Sequence, residues 1–320
     1  MDRRIFLGLT TALAILPLSA VAQDRLPVVA SFSILGDMVA HVGGDRVDVT
    51  TLVGPDGDAH VDEPTPADAQ TVAAAQVVFV NGLGFEGWLD RLIEAAKYEG
   101  PVVMATTGVA PREMDGEEHD HAGREVKAEG EAHDHDHDHA GHDHGVTDPH
   151  AWQSLANARL YVANIAAGLT AADPEGAATY AANVAAYLAD INAVEAEVIA
   201  AVAALPADRR AVVTSHDAFG YFGVAYGLTF HAPEGISTEA KASAADVAAL
   251  ITQIRQEAIP AVFVENISDP RLLDQIVAET GAKVGGTLFS DALSPTDGPA
   301  GTYLDRMRHN IATLTIALGE

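Results

Sequence analysis

One long amphipathic pattern divides this chain in two. Asp173-Pro174-Glu175 reads as a helix start, with Asp173 as N-cap, Pro174 at the first helical position and Glu175 as an acid in the first turn. From there Tyr180, Val184, Tyr187, Ile191, Val194, Val198, Ala201 and Leu205 recur at gaps of three or four residues, and Pro206 ends the run. That spacing lays one apolar stripe along one face of a helix. Thirty residues at about 1.5 Å each make a rod of roughly 45 Å, longer than one lobe is wide. The simplest molecule that uses such a rod has a lobe at each end of it.

The stretches on either side carry the same alternation. Short apolar, β-branched runs at 28–32, 47–53, 77–80 and 102–104 predict strands, with helical patterns at 34–42, 66–75 and 85–98 between them. A further helix is expected over 157–169. Past the long helix, strands are expected at 211–215, 261–265 and 283–288, and helices at 247–258 and 270–280. Strand–helix alternation is the pattern of a parallel sheet with flanking helices. The expected fold is α/β, with two lobes that each hold a parallel sheet and are joined by a long rigid helix. The expected divisions are a lobe over 23–172, the linking helix over 173–205 and a second lobe over 206–320.

The N-terminus reads as an export signal over 1–22. Arg3 and Arg4 precede a short apolar run, and Ala20-Val21-Ala22 fits a small-residue cleavage site, so the mature chain would begin near Gln23. The two arginines fit either the general secretory or the twin-arginine route. The run is too short to span a membrane. With no cysteine in the chain, there are no disulfides, and any zinc site must use nitrogen and oxygen ligands. The missing cysteine also leads to the expectation of a soluble periplasmic protein that is not a lipoprotein. A formal net charge of -28 argues against nucleic acid as a partner and is compatible with a cation.

A metal is written into the composition of one segment. His119, His121, His133, His135, His137, His139, His142 and His144 crowd a tract over 116–145, most of them alternating with acids. Imidazole and carboxylate are both ligands for late first-row metals. The tract has almost nothing apolar to bury, so it is expected as a flexible loop with weak metal sites rather than as part of a core.

Four other residues share a more specific context. His60 follows the strand at 47–53 and precedes Glu63-Pro64-Thr65-Pro66, where Thr65 can cap a helix. His150 stands in Asp148-Pro149-His150-Ala151-Trp152, His216 directly follows the strand at 211–215, and Asp291 comes just after the strand at 283–288. Open parallel sheets bind ligands beyond the carboxyl ends of their strands. Two of the four belong to each expected lobe, so a cleft between lobes can gather them. Three neutral imidazoles and a carboxylate suit a tetrahedral zinc ion. Glu63, Asp217 and Glu265 are the carboxylates expected to orient the imidazoles, with Glu265, at a strand end, the best placed. His41, His231 and His309 lack this context and are expected in surface or structural roles.

Taken together, Gly57-Asp58-Ala59-His60-x-x-Glu63-Pro64-Thr65-Pro66, Asp148-Pro149-His150-x-Trp152, His216-Asp217-Ala218-Phe219-Gly220-Tyr221-Phe222 and Asp291-x-Leu293-Ser294 closely resemble the zinc/manganese solute-binding proteins of bacterial ABC transporters. The likeness covers essentially the whole mature chain. It implies His60, His150, His216 and Asp291 as metal ligands in an interlobe cleft, and a binding protein rather than an enzyme. It also implies a membrane permease as partner. Manganese members typically carry a carboxylate where this chain has His216, and manganese prefers oxygen ligands, so the third imidazole points to Zn2+. A loop of histidines and acids between the first two ligands is likewise a mark of zinc members.

The expected function is therefore high-affinity zinc uptake by a monomeric binding protein. The alternatives are a manganese- or iron-binding member of the family, or a periplasmic zinc buffer or metallochaperone. The tract would collect zinc, sense its sufficiency or dock a periplasmic metallochaperone.

Overall fold

β-branched runs build the sheets. The computed structural model describes residues 25–113 and 147–319. The export segment and the tract over 116–145, with its eight histidines, lie outside the described residues. In the first lobe β1 (Leu26–Phe32), α1 (Ser33–Gly43), β2 (Val47–Val53), α2 (Pro66–Ala74), β3 (Val77–Val80), α3 (Leu89–Ala96) and β4 (Val102–Met104) follow in turn. The strands pair in parallel in the order β2-β1-β3-β4. All four residues of β3 are buried, as expected of a strand covered on both faces by helices. Thr65 caps α2 as its sequence suggests: Asp68 N–H donates to the Thr65 hydroxyl, and the Asp68 carboxylate accepts from Thr65 N–H at 2.7 Å. The helix expected over 85–98 is shorter, because Glu86 turns inward. Its buried carboxylate accepts the Ser31 hydroxyl and the Asn81 N–H, each at 2.6 Å.

Next come an antiparallel pair, β5 (Arg112–Glu113) and β6 (Thr147–Asp148), then α4 (Leu155–Ala172) and α5 (Ala177–Ala203). Asp173 caps the long helix through Gly176 N–H at 3.2 Å, but Pro174–Gly176 winds as a 3-10 turn, so the α-helix begins at Ala177. Its 27 residues span roughly 40 Å. The Asp173 carboxylate also accepts from Arg46 Nε at 2.8 Å and the Tyr180 hydroxyl at 2.7 Å, which pins the start of α5 to the first lobe. Tyr180, Tyr187, Ile191, Val194, Val198 and Val202 form its buried face.

The second lobe holds β7 (Ala211–Val213), α6 (Gly220–Tyr226), β8 (Thr229–His231), α7 (Ala244–Glu257), β9 (Ala261–Glu265), α8 (Arg271–Thr280), β10 (Lys283–Leu288) and α9 (Tyr303–Gly319). Its parallel sheet has the order β10-β9-β7-β8. α5 packs against α1 and α4 of the first half and against α9 of the second, so one rod joins both lobes. β7 stops two residues before the expected end. The N–H groups of Ser215 and His216 leave the ladder and donate to the Glu265 carboxylate at 2.7 and 2.9 Å. α6, β8 and α9 have no counterpart in the expected elements. Among the described residues no helix is long and apolar enough to cross a membrane.

Candidate metal centre

Each sheet reverses its strand order beside a central strand: β1 is flanked by β2 and β3, and β7 by β8 and β9. Such switch points leave a crevice at the carboxyl ends of the strands, because the connections diverge there. His60 enters from the segment after β2, His150 from the turn after β6, His216 from the segment after β7 and Asp291 from the segment after β10. All four come together, with one ligand atom from each inside a 4.8 Å cluster.

Four of the six separations among these atoms are short, and all six lie within 4.8 Å. His60 Nε2 lies 3.2 Å from His150 Nε2 and 3.3 Å from Asp291 Oδ2. Asp291 Oδ2 is 3.0 Å from His216 Nε2 and 3.7 Å from His150 Nε2. A tetrahedron with metal–ligand bonds of about 2.0–2.1 Å has edges of roughly 3.3 Å, and the four contacts scatter around that length. All three imidazoles turn Nε2 inward. His150, His216 and Asp291 are fully buried, and the His60 side chain is 4% exposed.

Carboxylates hold the outer nitrogens. His150 Nδ1 is 2.8 Å from Asp148 Oδ1, and Asp148 Oδ2 is 3.0 Å from Arg112. His216 Nδ1 is 2.7 Å from Glu265 Oε2. His150 Nδ1 is hydrogen-bonded to Asp148, while His216 Nδ1 and Glu265 Oε2 meet as a close ion pair without hydrogen-bond geometry; a carboxylate behind Nδ1 leaves Nε2 facing the site, the usual arrangement behind a metal-bound histidine. Asp291 is aimed by the residue before it. The Ser290 carbonyl accepts from Trp152 Nε1 at 3.0 Å, Gln153 Nε2 at 3.1 Å and the buried Arg306 guanidinium at 2.6 Å. Trp152 and Gln153 directly follow the His150 segment, so that knot ties His150 to Asp291. Phe85 packs edge-on to His60 at 4.7 Å between ring centres and to Trp152 at 4.8 Å, which keeps the floor of the site apolar.

Burial and charge pull against each other here. Burial pushes His60 below its ordinary value, more than Asp291 raises it. Burial works the same way on His150, but Asp291 and Asp148 overcome it and lift that imidazole to about 9. At His216 burial is outweighed by Glu265 and Asp291, and the imidazole rises well above its usual range. Asp291, despite burial, is held well below the carboxylate range by His216 and His150. Without a cation between them, these groups would keep protons on His150 and His216 at neutral pH.

The three carboxylates expected to orient imidazoles have different fates. Glu265 reaches His216. Glu63 is exposed just ahead of α2, and Asp217 is half-buried with its N–H on the Gly235 carbonyl, so neither is brought onto an imidazole among the described residues. Asp148, which does orient His150, was visible only as its neighbour in Asp148-Pro149-His150. His41 stacks on Tyr187 at 4.6 Å, His309 reaches the Thr287 carbonyl at 3.0 Å and His231 meets Gln253 at 3.2 Å, all away from the cluster.

Residues 28–317 match the family model of ZnuA, the periplasmic component A of the zinc-uptake complex. The chain belongs to this family. Among similar proteins is the manganese-binding lipoprotein MntA of Halalkalibacterium halodurans, 31% identical over 93% of this chain and 90% of that protein. The iron-binding protein YfeA of Yersinia pestis is also 31% identical, over 92% of this chain and 87% of its own length. Among solved structures, the periplasmic zinc binding protein TroA from Treponema pallidum superposes with a TM-score of 0.80 at 26% identity, covering 92% of this chain and 99% of that one. Like other ZnuA-family proteins, this chain is the metal-binding, solute-binding component of an ABC transporter. It is a binding protein rather than an enzyme, and it delivers its ion to a membrane permease.

One expectation is overturned. The absence of cysteine suggested a soluble periplasmic protein that is not a lipoprotein, but MntA, similar along almost its whole length, is named a lipoprotein. The exclusion does not stand. A cysteine count bears on the leader, which lies outside the described residues, and not on the fold shared with these relatives.

Proposed function

We propose that this ZnuA-family protein captures zinc at His60, His150, His216 and Asp291 and hands it to its permease. The observation that carries this reading is the set of three inward Nε2 atoms and one carboxylate oxygen within 4.8 Å of one another, two of the imidazoles backed by carboxylates. Imidazole-rich sites with one carboxylate favour zinc over manganese, which prefers oxygen donors. The tract over 116–145 would collect zinc or receive it from a metallochaperone. The test is a zinc titration against a competing chelator, using the chain without residues 116–145 and its His216→Ala variant. One tight equivalent, badly weakened by the substitution, supports the site. A tight site indifferent to His216, or none after the deletion, refutes it.

A second reading is a manganese or iron carrier. The names of the two relatives favour it, and so does one structural detail. Asp291 Oδ1 is buried with no hydrogen-bond partner among the described residues, so the carboxylate has a second oxygen to offer a metal that wants more than four ligands. Competition between zinc and manganese for the truncated chain separates the readings: manganese would have to hold its place against equimolar zinc.

A further inference from the structure

We infer that Asp58 is a positioning residue that fixes His60 and latches its segment to the second lobe through Thr238, and that this latch sets how fast the metal leaves. The inference rests on the ligand set proposed above. An ion held by four side chains leaves only when one of them moves. Asp291 and His150 are tied together at the Ser290 carbonyl, and His216 sits on Glu265. His60 is different. It is the ligand that solvent touches, and among the described residues its ring makes no hydrogen bond outside the cluster.

What holds His60 is its backbone. Asp58 Oδ1 accepts the His60 N–H at 3.0 Å, and Asp58 Oδ2 accepts the Thr238 hydroxyl at 2.7 Å. Thr238 is buried in the segment between β8 and α7. That same segment lies along His216, where Glu234 N–H donates to the Ser215 carbonyl at 3.4 Å and Asp217 N–H to the Gly235 carbonyl at 3.1 Å. A single carboxylate therefore connects the first ligand to the segment that covers the third.

Asp56 makes a parallel crossing. Its N–H donates to the Leu293 carbonyl at 2.9 Å, and its carboxylate accepts from Asn266 Nδ2 at 2.9 Å. Its φ of 55° is one that aspartate tolerates better than most residues. The segment before His60 thus belongs to the first lobe by covalent connection and to the second by hydrogen bonding. Asp58, Thr238, Ser215 and Glu234 also line a cavity of ≈ 270 Å³, so space for solvent lies directly behind the latch.

The test uses the full zinc-loaded chain, mixed rapidly with excess chelator to read the dissociation rate. Thr238→Val removes the hydroxyl, keeps the shape and touches no ligand. It should release zinc about tenfold faster, the loss of one hydrogen bond to a charged acceptor. Thr238→Ser, which keeps the donor, should release at the parent rate, and Asp58→Ala should release faster than Thr238→Val. The absorption spectrum of the cobalt-loaded Thr238 variants should match the parent, showing unchanged coordination. If Thr238→Val still binds one tight equivalent but releases at the parent rate, the latch is refuted while the site stands. Equal acceleration in Thr238→Ser also refutes it, since packing rather than the hydroxyl would then be responsible. A parent chain without a tight site would remove the ligand set itself.

Discussion

Replacing Glu265 by glutamine isolates the carboxylate behind His216. Glu265 is 1% exposed and closes a two-part contact: Oε1 accepts the Ser215 and His216 N–H groups, and Oε2 lies 2.7 Å from His216 Nδ1. Glutamine keeps an oxygen for the backbone donors and removes the charge. Contacts to a charged partner contribute about 1.5–3 kcal/mol, which corresponds to roughly 10- to 150-fold in affinity. Losing the carboxylate behind a metal-bound histidine typically costs 10- to 100-fold, in the same range.

The pH dependence adds a sign. Glu265 stabilises the proton on His216 as it would a metal there, and it is the largest of the influences that lift this imidazole against its burial. At low pH the variant therefore gives up less, because its weaker hold on the metal is offset by a weaker competing proton. Chelator-competition titrations of parent and Glu265→Gln across pH should show the greatest loss at the alkaline end, where the raised His216 imidazole gives up its proton most readily. The gap should narrow as pH falls. Equal affinities in that alkaline range, or a gap that widens toward acid, would refute the assignment of Glu265 as the group behind His216.

Zinc binding at neutral pH should release about two protons, one each from His150 and His216, so affinity should fall by up to about two powers of ten per pH unit there; calorimetry in buffers of different ionisation enthalpy measures the count. In the metal-free protein the raised His150 value contributes stability that is fully present below 6.5 and lost as pH rises through about 9, a decline that urea unfolding across that window should record. Ile191→Ala removes a fully buried side chain from the face of α5 that spans the lobes and should cost about 2–5 kcal/mol in denaturant unfolding. Trp152→Phe keeps the ring packing but deletes the indole N–H on the Ser290 carbonyl, where Gln153 and Arg306 remain, so the loss should be only about 1 kcal/mol by the same assay.

The strands and the long helix were legible because their patterns are local. β3 is four consecutive buried residues, and the stripe from Tyr180 to Val198 repeats at the helical period. α9 escaped notice because Arg306 and Asn310 stand in its buried face, where their acceptors are the Ser290 and Phe289 carbonyls, remote in sequence from the helical period. β8 is three residues long and exists only as a partner of β7. The four clustered residues could be picked out because each stands near a strand end or a turn in a recognisable motif. Their supporting carboxylates were harder to choose. Glu265 reaches His216 because β9 pairs with β7, an adjacency that no local pattern carries, and Asp148 reaches His150 because Pro149 turns the chain back within two residues. Asp217 is nearer in sequence to His216 than Asp148 is to His150, and Glu63 is only one residue farther from His60, yet the backbone directs both elsewhere.

The charges suggest why a molecule braced by a single rod can still bind and release an ion. α5 packs on α1, α4 and α9, so wide opening of the lobes would expose the apolar face that the helix buries. A site braced this way would keep nearly one shape with and without its ion. Buried carboxylates make that difficult, because Asp291 and Glu265 left without cations would repel each other in a poorly solvated interior. Two protons on His150 and His216 supply the missing charge, and they match the charge of one divalent ion. Exchange of two protons for one such ion leaves the net charge of the pocket unchanged, and the surrounding hydrogen bonds at Ser290, Ser215 and Asp148 need not break. On the proposed ligand set, the movement that capture and release require falls on His60, the one of the three imidazoles at which burial outweighs the nearby carboxylate and leaves the value lowered.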